Sequence, residues 1–342
     1  MPAIKSGKVL VTGSNGYISV WIVKLLLEAG FSVRGTIRSS DKAAYLKTLF
    51  ASYGDKLELV VVKDITLPGA FDEAVKGVDA IEHLASPFHM KSTHPDDMII
   101  PAVQGTRTLL QSALQHGTNV KRIVITSSTA SIGEFLDTAK VFTEDDWNNQ
   151  SEREAKEKGK DCSPTHSYRA SKTLAEKEAW RFVEEHQGKI DWDLVTICPP
   201  YVYGPVLQDV KSPDALNTSM ASWYDYIVEG TGDDKTLANV GGGWVDVRDT
   251  AAAHVKSLMV EAAGNKRFLN SAGEYMWQDW ILAARKTDSK LTPGNTAYDP
   301  EKAVHLIRFG STRVQDILGL TYHTKEETAR DCLANFREHG WY

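Results

Sequence analysis

At 342 residues the chain is long enough to bury a substantial core, and one large domain or about two smaller ones is the expectation. Its apolar share of 42% and charged share of 25% are those of an ordinary folded protein, which excludes a disordered chain and a disulfide-stapled scaffold. A formal net charge of −6 without a long basic run argues against nucleic acid as a partner.

Three widely spaced cysteines, Cys162, Cys198 and Cys332, suit a reducing compartment better than a disulfide framework. Met1 to Lys8 leads straight into a strand pattern without a secretory signal, and no run approaches the roughly 18 apolar residues that span a bilayer. The C-terminal Glu338 to Tyr342 carries no lipidation or retrieval signal. The expected address is therefore the cytoplasm, with no membrane partner.

Short apolar runs alternate with segments of helical period from the start: Lys8 to Thr12, Tyr17 to Ala29, then Phe31 to Ile37. The alternation continues through Leu57 to Val62, Val78 to Leu84, Arg122 to Thr126 and Asp193 to Ile197, with a helix such as Pro101 to Gln115 between. Near-continuous Val/Ile/Leu strands of this kind belong in a parallel sheet covered on both faces, so the fold class is α/β with a doubly wound sheet. After Pro199 the regularity is lost. We expect residues 1–200 to form a nucleotide-binding domain, joined by a returning strand and helix near 244–260, while 201–243 and 261–342 build a smaller substrate-binding region. Glu274 to Lys286 and Lys325 to His339 read as peripheral helices.

Between the first strand and first helix lies Thr12-Gly13-Ser14-Asn15-Gly16-Tyr17-Ile18-Ser19, where backbone amides at a helix N-terminus can hold a pyrophosphate. Gly13 permits the tight turn, Gly16 removes the Cβ that would block phosphate oxygens, and Ser19 stands where a third glycine is usual. Thr12, Gly13, Asn15, Gly16, Tyr17 and Ile18 are thus candidate contacts of a dinucleotide. An acidic residue at the end of the second strand would bind the ribose 2'-hydroxyl of NAD, but Arg38 stands there with Lys42 a turn further on, and both can hold a 2'-phosphate. That selects NADPH/NADP+. Asp64-Ile65 after the third strand can edge the adenine, and Leu84-Ala85-Ser86 after the fourth leaves room for ribose and nicotinamide.

Tyr168 and Lys172 open a segment of strong helical propensity and share one helical face. A phenol of pKa about 10 is a poor proton shuttle at neutrality, and a neighbouring ammonium is expected to draw it down. Ser128 ends the fifth strand, at the same sheet edge as the glycine turn, where its hydroxyl can bind a substrate carbonyl oxygen. The three suit hydride transfer from a nicotinamide to a carbonyl carbon, with Tyr168 giving the proton.

Val11-Thr12-Gly13 through Ile18, Val33 to Arg38, Pro101-Ala102 with Gly105-Thr106, Thr126-Ser127-Ser128, and Tyr168 to Lys172 followed by Thr173 to Glu176 run nearly end to end. Through them the chain resembles the extended short-chain dehydrogenase/reductase superfamily, in its dihydroflavonol reductase-like branch, and most of all the fungal ketone, aldehyde and methylglyoxal reductases. The resemblance implies a Rossmann-type domain, the roles just given to Ser128, Tyr168 and Lys172, and NADPH as reductant. It also implies that Pro199 and Val202 contact the nicotinamide, and it makes Tyr201 a pocket candidate, with Phe88 on the loop after the fourth strand another. Trp223, with Tyr224 and Tyr226, suggests an aromatic pocket wall if that segment folds over the cleft, or else a buried packing cluster, and Ser128 is a further pocket candidate. Gly133 stands where plant flavonoid reductases carry a substrate-binding asparagine, and the Trp-Tyr-Cys string of cinnamoyl-CoA reductases is absent before Tyr168.

The partner implied is a small carbonyl substrate, and relatives of this branch occur as monomers and homodimers. An NAD-dependent sugar-nucleotide epimerase and a non-catalytic NADP-sensing protein are the alternatives. No metal is expected, because His83, His89 and His94 lack zinc-type spacing.

Overall fold

The computed structural model describes residues 3–86 and 94–342. In chain order the first half runs β1 (Lys8–Thr12), α1 (Tyr17–Glu28), β2 (Ser32–Ile37), α2 (Ala43–Leu49), β3 (Leu57–Val61), β4 (Ala80–His83), α3 (Asp96–His116) and β5 (Arg122–Thr126). It continues through β6 (Lys140–Phe142), α4 (Asn149–Lys158), α5 (Pro164–Glu185), β7 (Asp193–Cys198), β8 (Tyr201–Tyr203), α6 (Thr218–Ile227), α7 (Asp234–Asn239) and β9 (Gly241–Asp246). The chain ends with α8 (Val247–Met259), β10 (Lys266–Leu269), β11 (Gly273–Met276), α9 (Trp277–Arg285), β12 (Ile307–Phe309), α10 (Arg313–Leu318) and α11 (Lys325–Glu338).

Seven strands form the main sheet in the order β3-β2-β1-β4-β5-β7-β10, and every neighbouring pair is parallel. The strand order reverses between β1 and β4, which opens a crevice at their carboxyl ends. Alternation along each strand divides the core. Val9, Val11, Val124, Val195 and Ile197 face a layer containing Val20, Val23, Leu27, Ala251 and Leu258 of α1 and α8. Leu10, Ile81, Ile123 and Leu194 face the other layer, with Leu109 and Leu110 of α3 and Ala179 and Phe182 of α5. Burial on both faces is why β4 and β7 carry no exposed position. This is the Rossmann-type doubly wound arrangement.

Two assignments from the sequence shift. The segment near 244–260 divides: α8 packs on the main sheet, but β9 pairs with β8 and β11 in a separate three-stranded sheet. The strand that does extend the main sheet is β10, beside β7. Glu274 to Met276, read as the start of a helix, instead form most of β11, and the helix begins at Trp277. Apolar residues three to four apart, including Trp277, Trp280 and Ile281, fit a helix, whereas Tyr275 pairs across to Gly242 of β9. Among the described residues no helix is long and apolar enough to cross a membrane.

Beside the three-stranded sheet lies a second core, rich in aromatic rings, and it takes in Trp223. This corrects the reading of Trp223 as a pocket wall. Its indole is fully buried, with ring centroids 6.2 Å from Trp280 and 5.9 Å from Phe336. A stripe at Met220, Trp223, Tyr224 and Ile227 is the buried face of α6, and an apolar helix face is satisfied by packing before any ligand is needed. Trp223→Ala is expected to lower the unfolding free energy by about 3–5 kcal/mol in equilibrium denaturation. Trp223→Phe should cost clearly less, because the indole N–H finds no acceptor in this core; equal losses for the two variants would contradict the packing described.

Candidate functional site

Carboxyl ends of parallel strands converge on a single cavity of about 1090 Å³. At its floor the chain leaves β1 through Gly13, whose φ of +63° lies in the left-handed region, and a Cβ there would come within 3.3 Å of the Ala85 backbone. Gly13 N donates to Thr36 Oγ1 at 3.0 Å, and Ser14 N donates to the Thr36 carbonyl at 2.9 Å, so the turn is tied to the end of β2. Gly16 caps α1 and brings no side chain to the first-turn amides, which leaves them to an outside acceptor. Ser19 is buried where the third glycine was expected, and a Cβ on Gly16 would lie 3.4 Å from its hydroxyl, so a small side chain suffices there.

Asn15, Tyr17 and Ile18 line the same cavity, as do Arg38, Lys42, Asp64, Ile65, Leu84, Ala85, Ser86, Pro199 and Val202. Tyr17 donates its hydroxyl to the Gly204 carbonyl at 2.8 Å, bridging α1 to the chain after β8. Asp64 Oδ1 accepts from Thr66 N at 2.9 Å and Oγ1 at 2.7 Å, and these bonds, with the charge of Arg38, hold its carboxyl below the usual range. Arg38 is exposed, and Asp41 sits inside a short turn that begins after Ser39, 3.9 Å from Lys42.

Thr12 differs from the expectation, since it is fully buried and does not reach the cavity wall. Its Oγ1 accepts from Leu84 N and Ala85 N, both at 3.0 Å, and meets His83 Nδ1 at 2.9 Å. It positions the strand exit that does line the cavity. Burial and the nearby Lys172 charge push His83 down to about 3, so it is neutral.

Tyr168, Lys172 and Ser128 also line this cavity. Ser163 and Pro164 start α5, with the Ser163 hydroxyl accepting from His166 N at 3.2 Å, and the helix then carries Tyr168 and Lys172 one turn apart. Ser128 leaves β5 as the cap of a short turn, its Oγ accepting from Ala130 N at 3.1 Å, and it hydrogen-bonds the Tyr168 phenol. Burial raises the phenol above its usual value, and the Ser128 bond offsets only part of this. The expected downward pull of Lys172 is not what the geometry delivers. The Lys172 Nζ lies 6.0 Å from the Tyr168 ring centroid, and burial pushes the ammonium itself down to about 8.

Tyr201 is half exposed and stacks on Tyr203 at 6.2 Å; it does not line the cavity, although its hydroxyl acts electrostatically on Tyr168. Phe88 lies outside the described residues. Sequence reasoning missed Leu216, Asn217, Thr218 and Ser219, the approach to α6 and its first two residues, which line the cavity. Asn-Thr-Ser ahead of an apolar helix stripe is a capping signal, and it was the available clue.

The description of the NAD dependent epimerase/dehydratase family matches residues 9–270. An oxidoreductase of Schizosaccharomyces pombe is 39% identical over 333 residues, covering 94% of this chain and 95% of that one. The ketoreductase azaE of Aspergillus niger is 34% identical over 340 residues, covering 97% and 98%. The crystal structure of yeast methylglyoxal/isovaleraldehyde reductase Gre2 complexed with NADPH superposes with a TM-score of 0.87 at 28% identity, covering 98% of this chain and all of that one. Agreement over nearly the whole length in both sequence and fold leaves one conclusion: this chain is a member of the NAD dependent epimerase/dehydratase family, among relatives that include fungal reductases.

Proposed function

We propose that the protein is an NADPH-dependent carbonyl reductase, turning a ketone or aldehyde into an alcohol, with Tyr168, Lys172 and Ser128 as its catalytic group. The observation that carries this reading is the shared cavity: the side chains suited to carbonyl reduction and the pair suited to a 2'-phosphate, Arg38 and Lys42, line one continuous space. Fit to the dinucleotide is supported by Gly13, where any Cβ would crowd Ala85, and by the uncapped first turn of α1. Arg38 and Lys42 would hold the 2'-phosphate, Asp64 and Ile65 the adenine, and Leu84 to Ser86, Pro199 and Val202 the nicotinamide end. Ser219 lines the same cavity.

When bound, NADPH supplies the hydride. Ser128 donates to the substrate oxygen and orients it beside the phenol. Tyr168, with its pKa raised by burial, holds its proton across the neutral range and gives it to the developing alkoxide. Lys172 would anchor the nicotinamide ribose through its ammonium. The substrate is a small carbonyl compound, and residues 201–243 and 261–342, apart from β10 on the main sheet, would supply the substrate-binding region. The free thiols of Cys162, Cys198 and Cys332 suit the cytoplasm as its compartment.

Tyr168→Phe is expected to cut turnover by about 10²–10⁴-fold in an NADPH-absorbance assay against methylglyoxal, isovaleraldehyde and acetophenone, with NADPH binding retained. Ordinary turnover in that variant would remove the phenol from the mechanism. Arg38→Glu should raise the KM for NADPH by about tenfold or more, because the 2'-phosphate then meets a like charge, while NADH is less affected; equal changes for both cofactors would count against the assignment.

The pH dependence has a definite sign. Lys172 is charged below its value of about 8 and neutral above it, whereas Tyr168 stays protonated throughout. The kcat/KM for NADPH, which reports ionisations of the free protein, should therefore be level on the acid side and fall as pH rises through about 8. A profile level to pH 10 would oppose the role given to Lys172.

A further inference from the structure

Glu176 follows Lys172 by one turn and Tyr168 by two, so the three side chains descend one face of α5 from the cavity into the core. It is 2% exposed, far too buried for an unpaired carboxylate, and both of its oxygens are engaged. Oε1 accepts from Thr196 Oγ1 of β7 at 2.8 Å and from Arg267 Nε of β10 at 2.7 Å. Oε2 accepts from Ser127 Oγ at 2.5 Å, Ser131 Oγ at 2.6 Å and Arg267 Nη2 at 3.1 Å. Burial alone would raise the carboxyl, but the Arg267 charge and these donors outweigh it and hold it below the usual range, so it is ionised.

Ser127 and Ser131 bracket Ser128, and both hydroxyls converge on the same carboxylate oxygen. Arg267 completes the clamp: its Nη2 donates to Ser131 Oγ at 3.0 Å, its Nη1 to the Glu144 carbonyl at 2.9 Å, and its guanidinium lies 3.8 Å over the Trp147 ring. From the other side, His254 Nε2 meets Thr126 Oγ1 at 3.0 Å. A buried ion pair adds little net stability compared with apolar side chains of the same volume. What this pair does supply is direction, because a guanidinium fork and a carboxylate fix the Thr196, Ser127 and Ser131 hydroxyls and the Glu144 carbonyl around them in one arrangement.

We infer that the Glu176–Arg267 pair is a positioning device for the reaction, setting the Ser128 hydroxyl against the Tyr168 phenol by tying the turn that carries one to the helix that carries the other. The inference rests on the roles proposed above for Ser128 and Tyr168. It assigns Glu176 and Arg267 no contact with substrate; they act through Ser128.

The test uses Glu176→Gln and the double variant Ser127→Ala/Ser131→Ala, assayed on whichever carbonyl of the panel the wild type turns over fastest. A displacement of Ser128 of order 1 Å should lower kcat by about 10–100-fold while the NADPH dissociation constant, from fluorescence titration, changes by less than roughly threefold. The deuterium isotope effect on kcat with 4-deuterated NADPH should rise, since hydride transfer becomes the slow step. If Glu176→Gln does not fold, the double serine variant decides, because it leaves the ion pair intact. Wild-type kcat in the folded double variant overturns the inference, and so does a loss of kcat matched by an equal loss of NADPH-binding sites, the mark of a merely structural role. Tyr168→Phe run alongside separates the two ideas: its retaining turnover would sink the phenol's assignment itself.

Discussion

A wholly parallel sheet imposes a direction. Because β1, β2, β4, β5 and β7 all run the same way, every chain exit that follows them emerges at one edge, and the reversal of order beside β1 keeps that edge open. Thr12 pairs with His83 and Thr126 with Ile197, so the glycine turn, the 84–86 segment, Ser128 and Pro199 leave the sheet at nearly one level. The cavity is the consequence of that alignment. Polar groups at the opposite edge serve stability instead: Arg122, fully buried, holds Asp193 through two bonds of 2.6 and 2.8 Å and donates to the Ser257 carbonyl at the end of α8.

Alignment of exits places residues only coarsely, and buried polar groups do the rest. Thr12 sets the 84–86 segment, Thr36 sets the glycine turn, and Glu176 with Arg267 sets the turn after β5. Each is a buried acceptor or donor with its partners supplied by a different strand exit, which couples neighbouring loops around the cavity that Thr36 and Ser127 also line. His254 extends the pattern from α8, its Nδ1 2.6 Å from Glu82 Oε2 while Nε2 holds Thr126. Loops that would otherwise be the least ordered part of an α/β fold are thus held where the site needs rigidity.

Much of this was legible in the sequence, because the signals were local. Strand residues Lys8–Thr12 and Arg122–Thr126 carry continuous apolar runs, and the glycine turn and the Tyr168/Lys172 spacing each sit within one element. What escaped was decided by tertiary packing. Trp223 presents the same indole to a reader whether it walls a pocket or fills a core, and only the placement of Trp280 and Phe336 settles it. Lys266–Leu269 looks no more like a main-sheet strand than Gly241–Asp246 does, yet pairing with β7 claims the former and pairing with β8 the latter. Glu176 was noticed only as part of a motif, since nothing in a sequence announces that Arg267 folds onto it.

The electrostatics of Tyr168 and Lys172 also bear on the direction of the proposed reaction. An acid that gives up its proton only to a strongly basic oxygen discriminates between a ground-state carbonyl and the alkoxide that forms as hydride arrives, and burial strengthens this by raising the phenol. The reverse reaction needs the phenolate, which the same burial disfavours. Lys172, its Nζ 6.0 Å from the ring centroid, does not offset the effect of burial on the phenol. In the proposed mechanism the raised phenol therefore sets where in pH each direction runs: reduction, which needs the protonated phenol, is supported across the neutral range, and oxidation, which needs the phenolate, is expected only in more alkaline solution.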